Sequence, residues 1–188
     1  MSTRGFIGFK VNNRDDRYNN IFGVYNHYDS YYSYTGMEVL SVYKNTTKED
    51  FESIFNTIIW SDDVDNTDID GVQMLSGAYD THMIQNDSTF LNDGLFCEYG
   101  YVYNLENDTL EIYRGFFDEA QSKELKILGY ESCGSTFHTH KVYTVTRDSD
   151  LDKVEYMFEN IRKDENYSEN KNEIVDGKYI EEIFMENN

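Results

Sequence analysis

The residues near the start of the chain that could carry out chemistry are Arg4, His27 and Asp29. Residues two apart in an extended strand project from the same face, so His27 and Asp29 would be neighbours there. A carboxylate beside an imidazole orients the ring and raises its pKa. The same segment also suits a hydrogen-bonded turn, because Asp and Asn commonly cap turns. The sequence favours the turn and leaves catalysis by His27 with Asp29 as the alternative.

Two other residue types could act as nucleophiles. Cys97 and Cys133 have acidic or neutral neighbours, whereas a reactive thiol needs an electropositive setting. We therefore predict reduced, partly buried thiols. Removal of the initiator methionine would leave Ser2 with a free α-amine beside its hydroxyl, as in N-terminal-nucleophile hydrolases. A small hydrolase that uses Ser2, or His27 with Asp29, is the alternative to a non-enzymatic role with no catalytic residue.

Two segments partly match metal sites. His138 and His140 lie two apart in a predicted strand, with His82 as a third candidate, but a zinc site needs three or four ligands and no Cys-x-x-Cys or His-Glu-x-x-His motif supports them. We expect His138 and His140 on a half-exposed strand face. Residues 66–71 follow the first half of an EF-hand loop, but its twelfth position is Gly77 instead of Glu. We predict no metal site and no cofactor, and weak calcium binding by charge remains the alternative.

The charge balance restricts the partners of this chain. Its 188 residues include 16 Lys+Arg and 36 Asp+Glu, a net charge of −20. Such a surface repels nucleic acid and anionic membranes and favours salt-sensitive association with basic protein surfaces. An apolar run of about 18 residues, as needed to span a membrane, is absent, and the N-terminal apolar run is too short for a signal peptide. We expect a cytoplasmic protein with neither a nucleic-acid nor a membrane partner.

Two surfaces could bind a partner. The first is a predicted acidic loop over 61–71 that would face a basic surface of a partner protein. Its carboxylates are Asp62, Asp63, Asp65, Asp68 and Asp70. The second is an aromatic pocket, in which rings stack on the base of a small nucleotide-type ligand and Arg4 meets its phosphate. Its predicted residues are Arg4, Tyr25, His27, Asp29, Tyr31, Glu98, Tyr99 and Tyr101.

Strand-favouring residues and turn signals predict two hairpins and a further strand. The first hairpin joins 5–11 to 21–25, the second joins 96–105 to 109–115, and the later strand covers 137–145. With 17 Tyr and 12 Phe, the core should be built from aromatic rings. Hairpins without a β-α-β rhythm predict an α+β fold, with a largely antiparallel sheet packed with two or three helices.

Helical periodicity is clearest over 51–59, behind a Thr46-to-Glu49 capping box. We also predict a short helix over 36–43, an irregular helix over 72–92 that is broken at Gly77, and a helix that starts after an N-cap at Ser149. The segment 179–184 suggests a final strand or helix. One domain over 1–188 with a solvated linker near 164–173 accounts for this pattern.

Two segments carry a resemblance to a known family. The first comprises TRGFIGF at 3–9, YNHYDSY at 25–31 and Gly36, and the second comprises LFCEYGYVYNL at 95–105 and LEIYRGF at 110–116. They resemble a family of uncharacterised phage and prophage proteins with the patterns T-R-G-x-x-G-F and Y-N-H-x-D-S-Y-P, although Tyr32 stands where that family has Pro. The resemblance covers most of 3–43 and 90–117. It implies a viral or prophage origin and no particular activity.

The charge and the resemblance lead to one functional hypothesis. We expect a non-enzymatic phage-type protein that binds and inhibits a host bacterial defence component, or sequesters its nucleotide signal, in the cytoplasm of an infected or lysogenic host. The acidic loop would serve the first route and the aromatic pocket the second. We also expect Arg4, His27, Asp29 and Glu98 to converge at one end of the sheet. There Glu98 should pair with Arg4, because an unpaired carboxylate among aromatic rings is costly.

Overall fold

A six-stranded sheet forms the centre of the molecule in a computed structural model, which describes residues 3–12, 20–63, 69–80, 82–94, 96–115, 119–127, 129, 132–133 and 139–161. Its strands are β1 (Gly5–Lys10), β2 (Ile21–Asn26), β5 (Tyr99–Asn104), β6 (Thr109–Arg114), β7 (Ser132–Cys133) and β8 (Thr139–Val145). A separate two-stranded sheet contains β3 (Ile59–Ser61) and β4 (Met83–Gln85). The strand order in the large sheet is β2-β1-β5-β6-β8-β7.

The described helices lie mostly between the first and second hairpins. A π-helical turn, Tyr32–Gly36, runs directly into α1. The α-helices are α1 (Met37–Asn45), α2 (Lys48–Thr57), α3 (Gly71–Ser76), α4 (Ser88–Leu91), α5 (Glu119–Ile127) and α6 (Leu151–Ile161). In the described part of the chain, no helix combines the length and the apolar composition needed to cross a bilayer.

The strand pairing confirms an α+β fold with a largely antiparallel sheet. Both predicted hairpins form, β1 with β2 and β5 with β6, and β8 pairs antiparallel with β6 and β7. The exception in the large sheet is β1, which runs parallel to β5 from Gly5 opposite Tyr99 to Lys10 opposite Asn104. The sequence did not predict this pairing, which joins the first and second hairpins.

The first face of the sheet carries the main core, and α1, α2, α3 and α6 cover it. Aromatic rings fill its centre, as predicted from the composition. Tyr103 stacks on Phe51 with ring centroids 3.9 Å apart, and Phe9 meets Phe55 edge-on at 5.5 Å. Such pairs stabilise beyond the area they bury.

The second face carries a smaller apolar cluster and a buried carboxylate. The cluster consists of Phe6, Ile21, Leu91, Cys97, Val102 and Tyr113. Beside it, Glu111 is only 3% exposed. Burial opposes its ionisation, but hydrogen bonds from Tyr113 and Asn104 and the charges of Lys10 and Lys141 outweigh burial and lower the pKa of Glu111.

The predicted helix over 51–59 is shifted towards the N-terminus. Its cap is Thr47, whose hydroxyl accepts the N–H of Asp50 at 3.2 Å, so the Thr46-to-Glu49 capping box is wrong by one residue. The helix ends at Thr57, and Ile59 begins β3. The apolar spacing continues past the end of α2 because β3 also carries apolar residues. Periodicity alone does not distinguish the last turn of a helix from a short strand that follows it.

The predicted helix over 72–92 is instead three short elements, α3, β4 and α4. The break at Gly77 is confirmed, because this residue ends α3 in the left-handed region with φ 77°. The predicted Ser149 cap is also displaced. Asp150 accepts the Lys153 N–H at 3.2 Å at the start of α6, while the Ser149 hydroxyl accepts the Thr146 N–H. The linker near 164–173 and the segment 179–184 lie outside the described residues.

Arg147 joins the turn of the second hairpin to the end of α1. Its guanidinium donates to both carboxylate oxygens of Asp108, at 2.9–3.1 Å, and to the main-chain carbonyls of Tyr43 and Thr46. The same group lies 4.0 Å above the Tyr43 ring. Asp108 also accepts the Tyr103 hydroxyl at 2.6 Å. The carbonyls at the end of α1 and the carboxylate in the turn therefore share one cation.

We predict that Arg147→Met lowers the free energy of unfolding by about 2 kcal/mol, because a half-buried carboxylate and two carbonyls lose their donor. Urea unfolding followed by circular dichroism measures the change. The matched control is Lys44→Met, which removes exposed ion pairs between α1 and α6 and should change stability little. Equal losses in the two variants would show that Arg147 contributes no more than a surface charge.

Candidate functional site

Arg4 and Glu98 meet where β1 and β5 begin. The Arg4 carbonyl accepts the N–H groups of Glu98 and Tyr99, at 3.0 and 3.3 Å, and the Arg4 N–H donates to the Glu98 carboxylate at 3.4 Å. Glu98 is therefore partnered by Arg4 as expected, but through the main chain. The Arg4 guanidinium lies 5.0 Å above the ring of Phe96, which is 44% exposed. This is a cation–π contact at the surface.

Tyr25 lies at the same end of the sheet, near the end of β2. Its ring packs edge-on against Phe90, with centroids 4.5 Å apart, and its hydroxyl bonds to Nδ1 of His27 at 2.9 Å. Burial raises the pKa of the Tyr25 hydroxyl, while the charge of Arg4 lowers it and that of Glu98 raises it. Tyr25 pairs with Phe6 in the sheet, and Arg4 and Glu98 lie just before β1 and β5, so all three residues are at this end of the sheet.

The outer edge of β2 is closed by side chains beside Tyr25. The Asp87 carboxylate accepts the Tyr25 N–H at 3.0 Å, and the Asn86 side-chain carbonyl accepts the Gly23 N–H at 3.1 Å. Burial raises the pKa of Asp87, although the bond from Tyr25 opposes this effect. The strand edge is thus protected against pairing with another chain, and the Tyr25 backbone is fixed.

The segment after β2 is a hydrogen-bonded turn, as the sequence favoured. The Asn26 amide donates to the Tyr28 carbonyl, the Ser30 hydroxyl and the Thr35 hydroxyl, at 2.9, 2.8 and 3.4 Å. Asp29 has a left-handed backbone with φ 47°, a conformation that Asp tolerates well.

The turn overturns the extended geometry expected for His27 and Asp29. The strand ends at Asn26, so the two residues do not share a strand face. Both side chains are exposed, and the His27 ring takes its orientation from the Tyr25 hydroxyl. Tyr28 packs edge-on against that ring, with centroids 4.3 Å apart. Arg4, Glu98 and His27 therefore lie at the same end of the sheet as Tyr25, while Asp29 belongs to the turn.

Tyr31 is exposed, whereas Tyr99 and Tyr101 are buried. Tyr31 is 38% exposed and meets Tyr99 edge-on at 6.2 Å. Arg114 lies 4.1 Å from the Tyr99 ring centroid. Tyr101 is fully buried, and its hydroxyl donates to the Ser30 carbonyl at 2.9 Å. Alternate residues of β5 face the core, and Tyr99 and Tyr101 belong to the main core, so neither ring offers an exposed face for stacking.

We call this surface the aromatic end. Its side chains are Arg4, Tyr25, His27, Tyr28, Phe90, Phe96 and Glu98, whereas Tyr31 lies against Tyr99 of the main core. Sequence reasoning missed Tyr28, Phe90 and Phe96. The position of Phe96 just before β5 could have revealed it, because residues preceding parallel neighbours β1 and β5 meet at one edge. Phe90 belongs to α4, and nothing in the sequence around it predicts that its ring lies against Tyr25.

The predicted acidic loop is only partly described. Asp62 and Asp63 are exposed, and Asp65 and Asp68 lie outside the described residues. Asp70 has a structural role, because its carboxylate caps α3. It accepts the N–H of Val72 at 2.8 Å and that of Gln73 at 3.0 Å. Asp70 is therefore bound to its own helix, which competes with the predicted contact to a partner.

The structure gives different outcomes for the predicted histidine and cysteine residues. His140 is fully buried, with Nε2 3.1 Å from the Ser122 hydroxyl, so its expected half-exposed position is wrong. His82 lies against Tyr79, and His138 and Ser2 lie outside the described residues. Cys97 is fully buried and not partly exposed. Among the described residues, no group of three His, Cys, Asp or Glu side chains could hold a metal ion.

No protein-family model, curated protein or solved structure matches this chain. The chemistry of the aromatic end therefore has to be inferred from its own residues. They offer exposed rings, one guanidinium and one imidazole at one end of the sheet. Such a set can stack on a flat ligand and bind an anionic group.

The turn predicts different effects for two neighbouring substitutions. Asn26→Ala should lower the free energy of unfolding by about 1–2 kcal/mol, because its amide donates to three acceptors. His27→Ala removes an exposed side chain and should change stability by less than about 0.5 kcal/mol. Chemical unfolding of both variants tests this order. A His27→Ala variant as unstable as Asn26→Ala would show that the imidazole holds the turn.

Proposed function

We propose that this protein is a non-enzymatic, phage-type inhibitor of bacterial defence, and that it sequesters a nucleotide-type signal at the aromatic end. The observation that carries the proposal is the Arg4 guanidinium above the exposed Phe96 ring, at the end of the sheet that also carries Tyr25 and His27. Every nucleobase has a flat face that stacks on exposed aromatic rings. A guanidinium next to those rings can bind a phosphate through two parallel hydrogen bonds.

The charge of Arg4 is available for such a ligand. Within the described part of the chain, the guanidinium contacts a ring and has no carboxylate at ion-pair distance. By contrast, Arg147 is held by Asp108, and Lys44 is held by two acidic residues of α6. In a chain with a net charge of −20, a cation supported by a ring favours an anionic, aromatic ligand at this position.

The proposal also rests on the resemblance of the two hairpins to a phage and prophage family. Both resembling segments contribute to the aromatic end, since Arg4, Tyr25 and His27 belong to the first and Phe96 and Glu98 to the second. A phage protein that captures a host nucleotide signal would act in the cytoplasm of an infected or lysogenic cell. His27 favours binding over hydrolysis, because the hydrogen bond that orients its exposed ring comes from Tyr25 and, among the described residues, no carboxylate bonds to it.

Carboxylate mimicry of nucleic acid by the acidic loop remains the second route to the same inhibition. Its described residues Asp62 and Asp63 are exposed and suit contact with a basic host surface. Asp70 supports this route less, because it caps α3. The two routes differ in salt dependence, since contacts between exposed charges weaken as the screening length shortens.

We predict that a panel of mononucleotides and cyclic dinucleotides contains at least one compound that raises the melting temperature of the wild-type protein, because binding to the folded state stabilises it. Phe96→Ala and Arg4→Ala should each weaken that compound about ten-fold or more in calorimetric titration, since base stacking contributes about 1–3 kcal/mol. The control is Ile59→Ala, which removes an exposed apolar side chain from β3 and should leave the affinity unchanged.

Two results would contradict nucleotide capture. One is a panel in which no compound stabilises the wild-type protein. The other is a compound that binds Phe96→Ala and Arg4→Ala as tightly as the wild type, since binding would then lie elsewhere. Inhibition of a basic host protein that disappears at high salt, without any nucleotide binding, would support the acidic loop instead.

A further inference from the structure

Glu111 connects a lysine to an asparagine on the second face of the sheet. Its Oε1 accepts the Asn104 side-chain N–H at 3.0 Å, and Lys10 Nζ lies 3.4 and 3.5 Å from the two carboxylate oxygens. The Tyr113 hydroxyl donates to Oε2 at 2.6 Å, and Lys141 Nζ lies 3.7 Å from Oε1. The carboxylate is thus within proton-transfer reach of both an amine and an amide.

The carboxamide of Asn104 is held in a polarised geometry. Its carbonyl oxygen accepts two main-chain N–H groups of the hairpin turn, from Glu106 at 3.1 Å and Asn107 at 3.2 Å. Two such donors stabilise negative charge on an oxygen, as in an oxyanion hole. The nitrogen of the same amide bonds to Glu111, which could protonate it as a leaving group.

Lys10 lies beside Asn104 because of the parallel pairing of β1 with β5. The two residues are register partners, and both side chains reach Glu111 from the second face. Neighbouring strands of a sheet lie about 4.8 Å apart, so the two side chains start from adjacent backbone positions. Asn104 is buried and Lys10 is about three-quarters buried, so little water competes for the carbonyl.

We propose that Lys10 and Asn104 form an intramolecular isopeptide bond, with Glu111 as the proton carrier. The Lys10 ammonium gives one proton to the Glu111 carboxylate, and the resulting amine attacks Cγ of Asn104. Negative charge develops on Oδ1, where the two main-chain donors stabilise it. Glu111 then protonates Nδ2 and accepts a proton from the attacking nitrogen. A Nζ–Cγ bond forms, the Cγ–Nδ2 bond breaks and ammonia leaves, so no oxidant or reductant is required.

The bond would link the first and second hairpins covalently at the far end of the β1–β5 pair from Arg4. A cross-link of this kind restricts the unfolded chain in the same way as a disulfide that closes a long loop. The ion pair of Lys10 with Glu111 is the starting state, so proton transfer precedes attack and the reaction should be slow. The product should accumulate in protein that is left to age in the folded state.

Intact mass spectrometry of the aged, denatured wild-type chain tests the proposal. The expected mass is that of the sequence, corrected for removal of the initiator methionine where this occurs, less one ammonia. Proteolysis should release a branched peptide that joins Lys10 to Asn104. Lys10→Arg keeps a positive charge but has no attacking amine, so it should have the full mass. The matched control, Lys141→Arg, keeps both reacting groups and should still lose ammonia.

Full mass in the aged wild-type protein would overturn the proposal, and this result does not depend on whether any variant folds. Loss of ammonia that persists in Lys10→Arg would also overturn it, because an asparagine can lose ammonia by cyclising on its own backbone. A branched peptide that joins any other pair of residues would do the same. The proposal is independent of nucleotide binding, which uses the opposite end of the strand pair.

Discussion

The parallel pairing of β1 with β5 is the constraint on which the rest of the structure depends. It joins two hairpins that are separated in the chain by most of the helices. Hydrogen bonds continue the pairing at both ends, because the Arg4 carbonyl accepts the Glu98 N–H and the Lys10 carbonyl accepts the Leu105 N–H. A register shift of one residue would send every side chain of a strand to the opposite face. The observed register therefore fixes both the Arg4–Glu98 contact and the approach of Lys10 to Asn104.

The aromatic end combines local attraction for anions with a repulsive whole-molecule charge. Its rings and guanidinium act at short range, whereas the net charge of −20 acts over a screening length of about 8–10 Å. An anionic ligand would therefore gain its affinity from stacking and contact hydrogen bonds, with little electrostatic steering. Under the proposed function, this balance would favour small aromatic anions over long polyanions, because each additional phosphate outside the site would meet repulsion.

The sequence predicted local features better than long-range ones. Both hairpins were correct because strand alternation and turn residues are encoded within a few positions, whereas the β1–β5 pairing depends on contacts about ninety residues apart. Tyr99 lies against Tyr31, but the burial of Tyr99 and Tyr101 was not predicted, because the sequence of a strand does not show which of its faces the helices cover. Asp29 was misplaced because its left-handed backbone ends the extended segment.

The measurement that tests the central claim most directly is relief of phage restriction in bacteria that each carry one defence system. Expression of the wild-type protein should restore phage growth against at least one system that signals through a nucleotide, and Arg4→Ala at equal abundance should not, because a phosphate then loses its cation. No relief against any system would contradict the proposed function. Equal relief by the wild type and Arg4→Ala would contradict its assignment to the aromatic end.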